Sequence, residues 1–140
     1  MKIYLDTNII LDTIQDRAGK ENAERIMQMS DDDKFIRCYT SFLTMANTAY
    51  VMRKGRTKDQ IISLLRECSS MCHVLSIYDT HFFSALKIDT PDFEDALQIA
   101  CAESKECDVI ITHDIKHFRG YTCIPVYTPE EFLSRCEGLS

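Results

Sequence analysis

The sequence predicts an α/β protein with a mostly parallel sheet covered by helices on both faces, and three observations carry that reading. Strand-like and helix-like segments alternate along the chain, the order that parallel βαβ units produce. The run from Asp108 to Thr112, with Val109, Ile110 and Ile111 at its centre, is unbroken and apolar as in a central strand buried on both sides. An aspartate, Asp6, ends the first strand-like run and is followed at once by Thr7-Asn8 and an apolar helix start. Open parallel sheets hold their ligands there, at the carboxyl end of a strand facing a helix N-terminus.

Taken in order, Lys2 to Leu5 is the first strand, and helical segments follow over Asn8 to Asp16 and Glu21 to Ser30, joined through Gly19. Asp31-Asp32-Asp33-Lys34 reads as a solvated turn rather than a ligand set, leading to a strand at Phe35 to Tyr39. Ser41 caps a helix whose apolar residues Phe42, Met45, Ala49 and Met52 recur at helical spacing and whose tail ends near Gly55. Thr57-Lys58-Asp59-Gln60 is a capping box for a helix through about Glu67. Cys72 to Ile77 is a short strand, and Asp79 caps a helix through about Ile88. After Thr90-Pro91 a helix runs from Asp92 to Ser104, with Phe93, Leu97, Ala100 and Cys101 inward. Proline suits a first turn because its missing donor has no partner there. Cys123 to Val126 is the last strand, and Thr128-Pro129-Glu130-Glu131 is a second capping box, opening the final helix.

The 140 residues, 45% of them hydrophobic, suffice for one ordinary core, so residues 1–140 are expected to form a single domain. No stretch approaches the roughly 20 apolar residues of a membrane span, and Asp6 and Asn8 interrupt any leader pattern, which points to a cytoplasmic protein. Seven cysteines without a Cys-x-x-Cys pair are expected as reduced, mostly buried thiols rather than as disulfides or a zinc site. A net charge of −6 excludes a general electrostatic nucleic-acid binder. It leaves room for a nuclease, whose pocket acids are neutralised by divalent metal. Arg53, Lys54, Arg56 and Lys58 form a local basic cluster that suits either a phosphate backbone or the negative end of a helix.

Two more segments repeat the logic of Asp6. Asp92-Phe93-Glu94-Asp95 opens a helix, and Asp114 follows the buried strand ending at Thr112. Magnesium and manganese prefer carboxylate and water oxygens, and ions held by such acids activate water and stabilise the leaving oxygen of a phosphodiester. Asp6, Asp95 and Asp114 are therefore candidate ligands of one pocket, with Asp92 one turn before Asp95 as support. Each acid alone has a capping explanation. Capping gives no reason for all of them to fall at one edge of one sheet. His113 and His117 flank Asp114 and are expected to be exposed and structural.

These residues resemble the PIN domain family, which includes the ribonuclease toxins of VapBC toxin–antitoxin pairs. Met1 to Asp12, MKIYLDTNIILD, looks like the family's opening motif; Ser41 to Asn47, SFLTMAN, resembles the second. Asp92 to Gln98, DFEDALQ, matches the third, and Ile111 to Phe118, ITHDIKHF, resembles the fourth. Ile124 to Phe132, IPVYTPEEF, is similar to the common tail. The resemblance implies a three-layer α/β/α sandwich and an endoribonuclease acting on single-stranded RNA with Mg2+ or Mn2+. It implies Asp6, Asp95 and Asp114 as the acidic triad, with Thr7, Asn8 and Thr112 orienting them or a bound water. An antitoxin partner and a homodimer are further expectations from it.

The chain departs from the family at Asn47, where glutamate is usual. The amide offers a neutral oxygen in place of a charge, which opens a second reading: a weakened PIN fold serving RNA or protein binding. A phosphatase of the haloacid dehalogenase type also begins with an acid after its first strand. It requires a second aspartate two positions on, where this chain has Asn8.

Overall fold

The computed structural model describes residues 1–138. Its sheet has five strands, β1 (Lys2–Leu5), β2 (Arg37–Ser41), β3 (His73–Leu75), β4 (Val109–Ile111) and β5 (Val126–Tyr127), in the order β3-β2-β1-β4-β5. All neighbours are parallel. The eight helices among the described residues are α1 (Thr7–Ile14), α2 (Lys20–Asp32), α3 (Phe42–Met52), α4 (Lys58–Met71), α5 (Asp79–Ala85), α6 (Phe93–Ser104), α7 (Ile115–Phe118) and α8 (Pro129–Glu137). This is the three-layer α/β/α sandwich that the resemblance implies, with the parallel sheet that the pattern predicts.

Side chains alternate across each strand, and the two sides of the sheet bury different helices. Ile3, Leu5, Cys38, Val109 and Ile111 pack with Ile9 and Ile10 of α1, Ile26 of α2, Cys68 of α4 and Phe132 of α8. Tyr4, Tyr39, Ile110 and Val126 pack with Ile99 and Cys101 of α6 and Phe118 of α7. Burial on both sides explains why β4 reads as an uninterrupted apolar run. All seven cysteines are free thiols, five of them buried, and no helix among the described residues is long and apolar enough to cross a membrane.

The topology places the site. Successive strands run outward from β1 through β2 to β3 on one side, and β4 and β5 lie on the other. Strand order thus reverses between β1 and β4, and a crevice opens beyond their carboxyl ends. Leu5 pairs with Ile111, and the Asp6 amide donates to the Ile111 carbonyl at 3.0 Å. Asp6 and the segment Thr112-His113-Asp114 therefore leave the sheet side by side.

Several boundaries differ from expectation for local reasons. β2 begins at Arg37 because Phe35 lies in a turn closed by the Asp33 carboxylate, which accepts from the Phe35 amide at 2.9 Å. Tyr78 rather than Asp79 precedes α5, where the His81 ring accepts from the Tyr78 amide at 2.9 Å. That helix stops at Ala85, as the Lys87 and Ile88 amides turn back to carbonyls three residues earlier. β5 starts only at Val126, after a turn in which the Thr122 hydroxyl accepts from the Ile124 amide.

Two expected helix faces hold except at one residue each: Met52 of α3 and Ala100 and Cys101 of α6 are buried as expected, but one phenylalanine on each helix lies outward. In α3 the buried residues are Thr44, Thr48 and Met52, while Phe42 is exposed; the Thr44 hydroxyl meets that of Thr7 at 3.0 Å. Phe93 of α6 is also exposed and sets its ring edge-on to Phe82 of α5. Apolar periodicity cannot find an inner face that is polar because it borders a site.

The capping box of α4 is complete: the Thr57 hydroxyl accepts from the Gln60 amide at 3.2 Å, and the Gln60 side chain accepts from the Thr57 amide at 2.9 Å. Thr57→Ala is expected to cost about 1 kcal/mol by stranding one helix donor. Chemical denaturation reads it as a lowered midpoint at constant slope.

Candidate functional site

Asp6 is held by its neighbours before any ligand arrives. It is 2% exposed, and its Oδ1 accepts from the Thr7 amide at 2.7 Å and from the Gln98 side-chain amide at 2.6 Å. Its Oδ2 accepts from the Thr112 hydroxyl at 2.8 Å. Burial pushes its pKa above the usual carboxylate value; the three donors pull it back, and the Asp114 charge pushes it up again. The net rise leaves Asp6 short of compensation for its charge.

Asp95 reaches the same cleft from the first turn of α6. Asp92 caps that helix, its Oδ1 accepting from the Glu94 amide at 2.8 Å and the Asp95 amide at 3.3 Å. The Asp95 Oδ2 accepts from His117 Nδ1 at 2.8 Å. Its pKa is pushed up to about 6, chiefly by burial and then by the Asp6 charge, with the His117 hydrogen bond opposing. The His117 pKa is raised in turn, first by that same bond. One ligand atom from each of Asp92, Asp95 and His117 lies within 4.8 Å of the others, a spacing one ion can bridge.

Asp114 completes the acidic wall from the β4–α7 loop. Its Oδ2 accepts from the Asn8 side chain at 3.0 Å, and its amide donates to the Thr112 hydroxyl at 2.9 Å. Thr112 thus links Asp6 to Asp114. A cleft of about 330 Å³ is lined by Asp6, Asn8, Asp92, Asp95, Asp114 and His117, with Thr7, Asn47, Glu94, Gln98 and Tyr50 also on its wall. The three candidate aspartates, from positions 6, 95 and 114, therefore share one cavity.

A family model described as the PIN domain matches residues 2–116. The chain belongs to the PIN domain family. Solved structures similar to this PIN domain include VapBC-1 of nontypeable Haemophilus influenzae, 24% identical with a TM-score of 0.74 over 93% of this chain and 99% of that one. DNA-bound VapBC of Salmonella typhimurium is 17% identical with a TM-score of 0.72, covering 92% and 98%. VapC20 of Mycobacterium tuberculosis, a toxin that cleaves the sarcin-ricin loop, is 15% identical with a TM-score of 0.59 over 77% and 86%. At these identities the likeness is one of fold. No curated protein matches the sequence.

The PIN domain's structure alters several expectations. Asn47 lines the cleft with Asp6, and its side-chain amide donates to Glu94 Oε2 at 3.1 Å. Glu94 thus brings a carboxylate to the wall where the usual glutamate is missing. His117 is not a bystander, because its ring holds Asp95. His113 is equally engaged, its Nε2 lying 2.6 Å from Asp12 Oδ2. Of the basic cluster, Arg53 and Arg56 donate to the Tyr50 and Met52 carbonyls at the end of α3, as expected for cations at a helix C-terminus. Lys54 and Lys58 are exposed.

Gln98 and Tyr50 were missed from sequence. Gln98 lies three residues after Asp95, itself three after Asp92, so a polar face at helical spacing was the available signal. Tyr50 stands three after Asn47 on α3. It is 66% exposed, with the Arg53 guanidinium 3.7 Å from its ring centroid.

Proposed function

We propose that this PIN domain is a metal-dependent endoribonuclease cutting single-stranded RNA with Mg2+ or Mn2+, and that it is the toxin of a toxin–antitoxin pair acting in the cytoplasm. The convergence of Asp6, Asp95 and Asp114 in one cleft at the switch point of the sheet carries the proposal. Two of the three have raised pKa values, the state of carboxylates that lack a cation.

The donor set fits a hard divalent ion, since oxygen ligands predominate and His117 adds an imidazole that manganese accepts. Asp6, Asp95 and Asp114 would hold it, with Asp92 and His117 beside Asp95. Bound there, such an ion supplies charge to the phosphodiester oxygens and lowers the pKa of water. The chain's own residues prepare the rest. Gln98, Thr112 and the Thr7 amide fix the Asp6 carboxylate, and Asn8 fixes Asp114. Asp95, held by the His117 ring and with its pKa pushed up to about 6, suits acceptance of a proton from the attacking water. Tyr50, with Arg53 stacked on it at the cleft's edge, offers a base a face and the backbone a cation. Lys54, Arg56 and Lys58 extend that positive side.

An antitoxin partner is supported by the VapBC neighbours and by the exposed ring cluster of Phe82, Phe83 and Phe93, with exposed Leu86 one turn on from Phe82, a patch of the kind that partners cover. The proposal is tested by incubating single-stranded RNA, duplex RNA and single-stranded DNA with the protein in Mg2+, Mn2+ or chelator. Cleavage of single-stranded RNA that chelator stops is expected. Equal cleavage in chelator, or none with either metal, would reject it.

Asn47 decides how strong the site is. In Asn47→Glu, two carboxylates meet where Asn47 now donates to Glu94, which costs stability without metal and favours cation binding. The variant is expected to melt lower than the native protein in chelator and to bind Mn2+ about tenfold more tightly, as ligand charge tunes affinity. Calorimetric titration and paired melts read both effects.

A further inference from the structure

The Asp12–Asn8 face of α1 meets the loop that carries Asp114 at two points. Asn8 and Asp12 are four residues apart and so lie one above the other on the helix. Asn8 donates to the Asp114 carboxylate at 3.0 Å. One turn on, Asp12 Oδ2 lies 2.6 Å from the ring of His113, the residue before Asp114. Neither Asp12 nor His113 lines the acidic cleft. Asp12 is 3% exposed, and a buried carboxylate is costly unless paired. Arg17, the cation beside it, stands off at 3.8 Å and is partly exposed.

Gly19 shows how closely that carboxylate is seated. Its φ of −81° is open to any residue, yet an added Cβ would overlap Asp12 Oδ2. The α1–α2 corner is therefore shaped around the Asp12 carboxylate. No backbone requirement calls for glycine at this position.

We infer that Asp12, acting through His113, is a positioning residue that sets Asp114 in the cleft. The inference rests on the metal-site reading above and deepens it. Asp114 is anchored by its amide to Thr112 and by its carboxylate to Asn8; the Asp12–His113 bond fixes the peptide between those anchors. Outer groups that orient a ligand typically change metal affinity 10- to 100-fold.

The test measures Mn2+ affinity by electron paramagnetic resonance in the native protein and in Asp12→Ala, Asp12→Asn, His113→Ala, Gly19→Ala and the double variant Asp12→Ala/Gly19→Ala. Denaturant melts in chelator accompany each. Asp12→Ala and His113→Ala are expected to weaken Mn2+ about tenfold, and Asp12→Asn, which keeps an acceptor for the ring, to retain most of the affinity. Gly19→Ala should weaken binding alone and add nothing in the Asp12→Ala background, where its methyl has room. Loss of stability with unchanged Mn2+ affinity in the folded protein would overturn the inference, as would additive effects of Gly19→Ala and Asp12→Ala.

Backbone and side-chain amide resonances separate this inference from the metal reading. In chelator, the Asp114 amide and the Asn8 side-chain amide should shift in Asp12→Ala and Gly19→Ala and stay near their native positions in Asp12→Asn. A native protein that binds no Mn2+ would reject the metal reading, while these shifts would still support the positioning role. Unmoved resonances would reject the positioning role itself.

Discussion

Asp6→Asn is expected to lower RNA cleavage by at least about 100-fold while leaving the fold intact. The floor follows from groups that merely orient a ligand, which already cost up to about that much. The amide can keep the local network. Its oxygen still accepts from Thr7 and Gln98, and its NH2 can donate to the Thr112 hydroxyl, which turns to accept it while continuing to accept from the Asp114 amide. The change also removes a charge that burial disfavours, so the metal-free variant should melt no lower than the native protein. Activity measured beside a melt in chelator checks both halves. Cleavage that survives Asp6→Asn would show that it comes from another site or another protein.

Magnesium should stabilise the native protein, and by more at pH 7 than at pH 5. The sign follows from Asp95, whose folded value of about 6 lies above that of the unfolded chain. Without metal, proton uptake by folded Asp95 adds stability as pH falls toward 5, and this contribution is lost as pH rises through about 6. The raised His117 value acts in the same direction: its bond to Asp95 contributes fully below the unfolded histidine value and fades as pH rises through the folded one. Metal binding needs Asp95 ionised, and at pH 5 only about a tenth of it is, so the apparent affinity should fall about tenfold. At a concentration of 100 times Kd the metal adds roughly 2.7 kcal/mol. Thermal melts at the two pH values, with chelator and with Mg2+, check the crossover. A metal shift that is equal at both pH values would remove Asp95 from the ligand set.

The sheet was legible because β1 and β4 are short and apolar, with Asp6 directly after β1 and Asp114 three positions after β4, and the caps at Thr57 and Thr128 announce their helices chemically. The acids themselves were legible for the same reason, each standing at a strand end or helix start. Faces were harder. Met52, Ala100 and Cys101 lie inward as their spacing predicts, but Thr44 and Thr48 share the inner face of α3 while Phe42 and Phe93 lie outward, which a rule that equates apolar with inner misses. Contacts between distant segments were beyond reach: nothing in a linear pattern says that Asn47 will meet Glu94, that Gln98 will hold Asp6, or that Asp12 will hold His113. His113 and His117 read as exposed turn residues because their partners, Asp12 and Asp95, lie 101 and 22 positions away.

Direct Mn2+ titration of the metal-free protein, without RNA, tests the central claim that Asp6, Asp95 and Asp114 form one cation site. Native protein, Asp6→Asn, Asp114→Asn and, as a control in the exposed acidic run, Asp32→Asn are compared by calorimetry at pH 7. The account predicts saturable binding in the native protein and in Asp32→Asn, weakened at least tenfold in both Asp6→Asn and Asp114→Asn. Saturable binding of equal strength in all four, or none in the native protein, would contradict it.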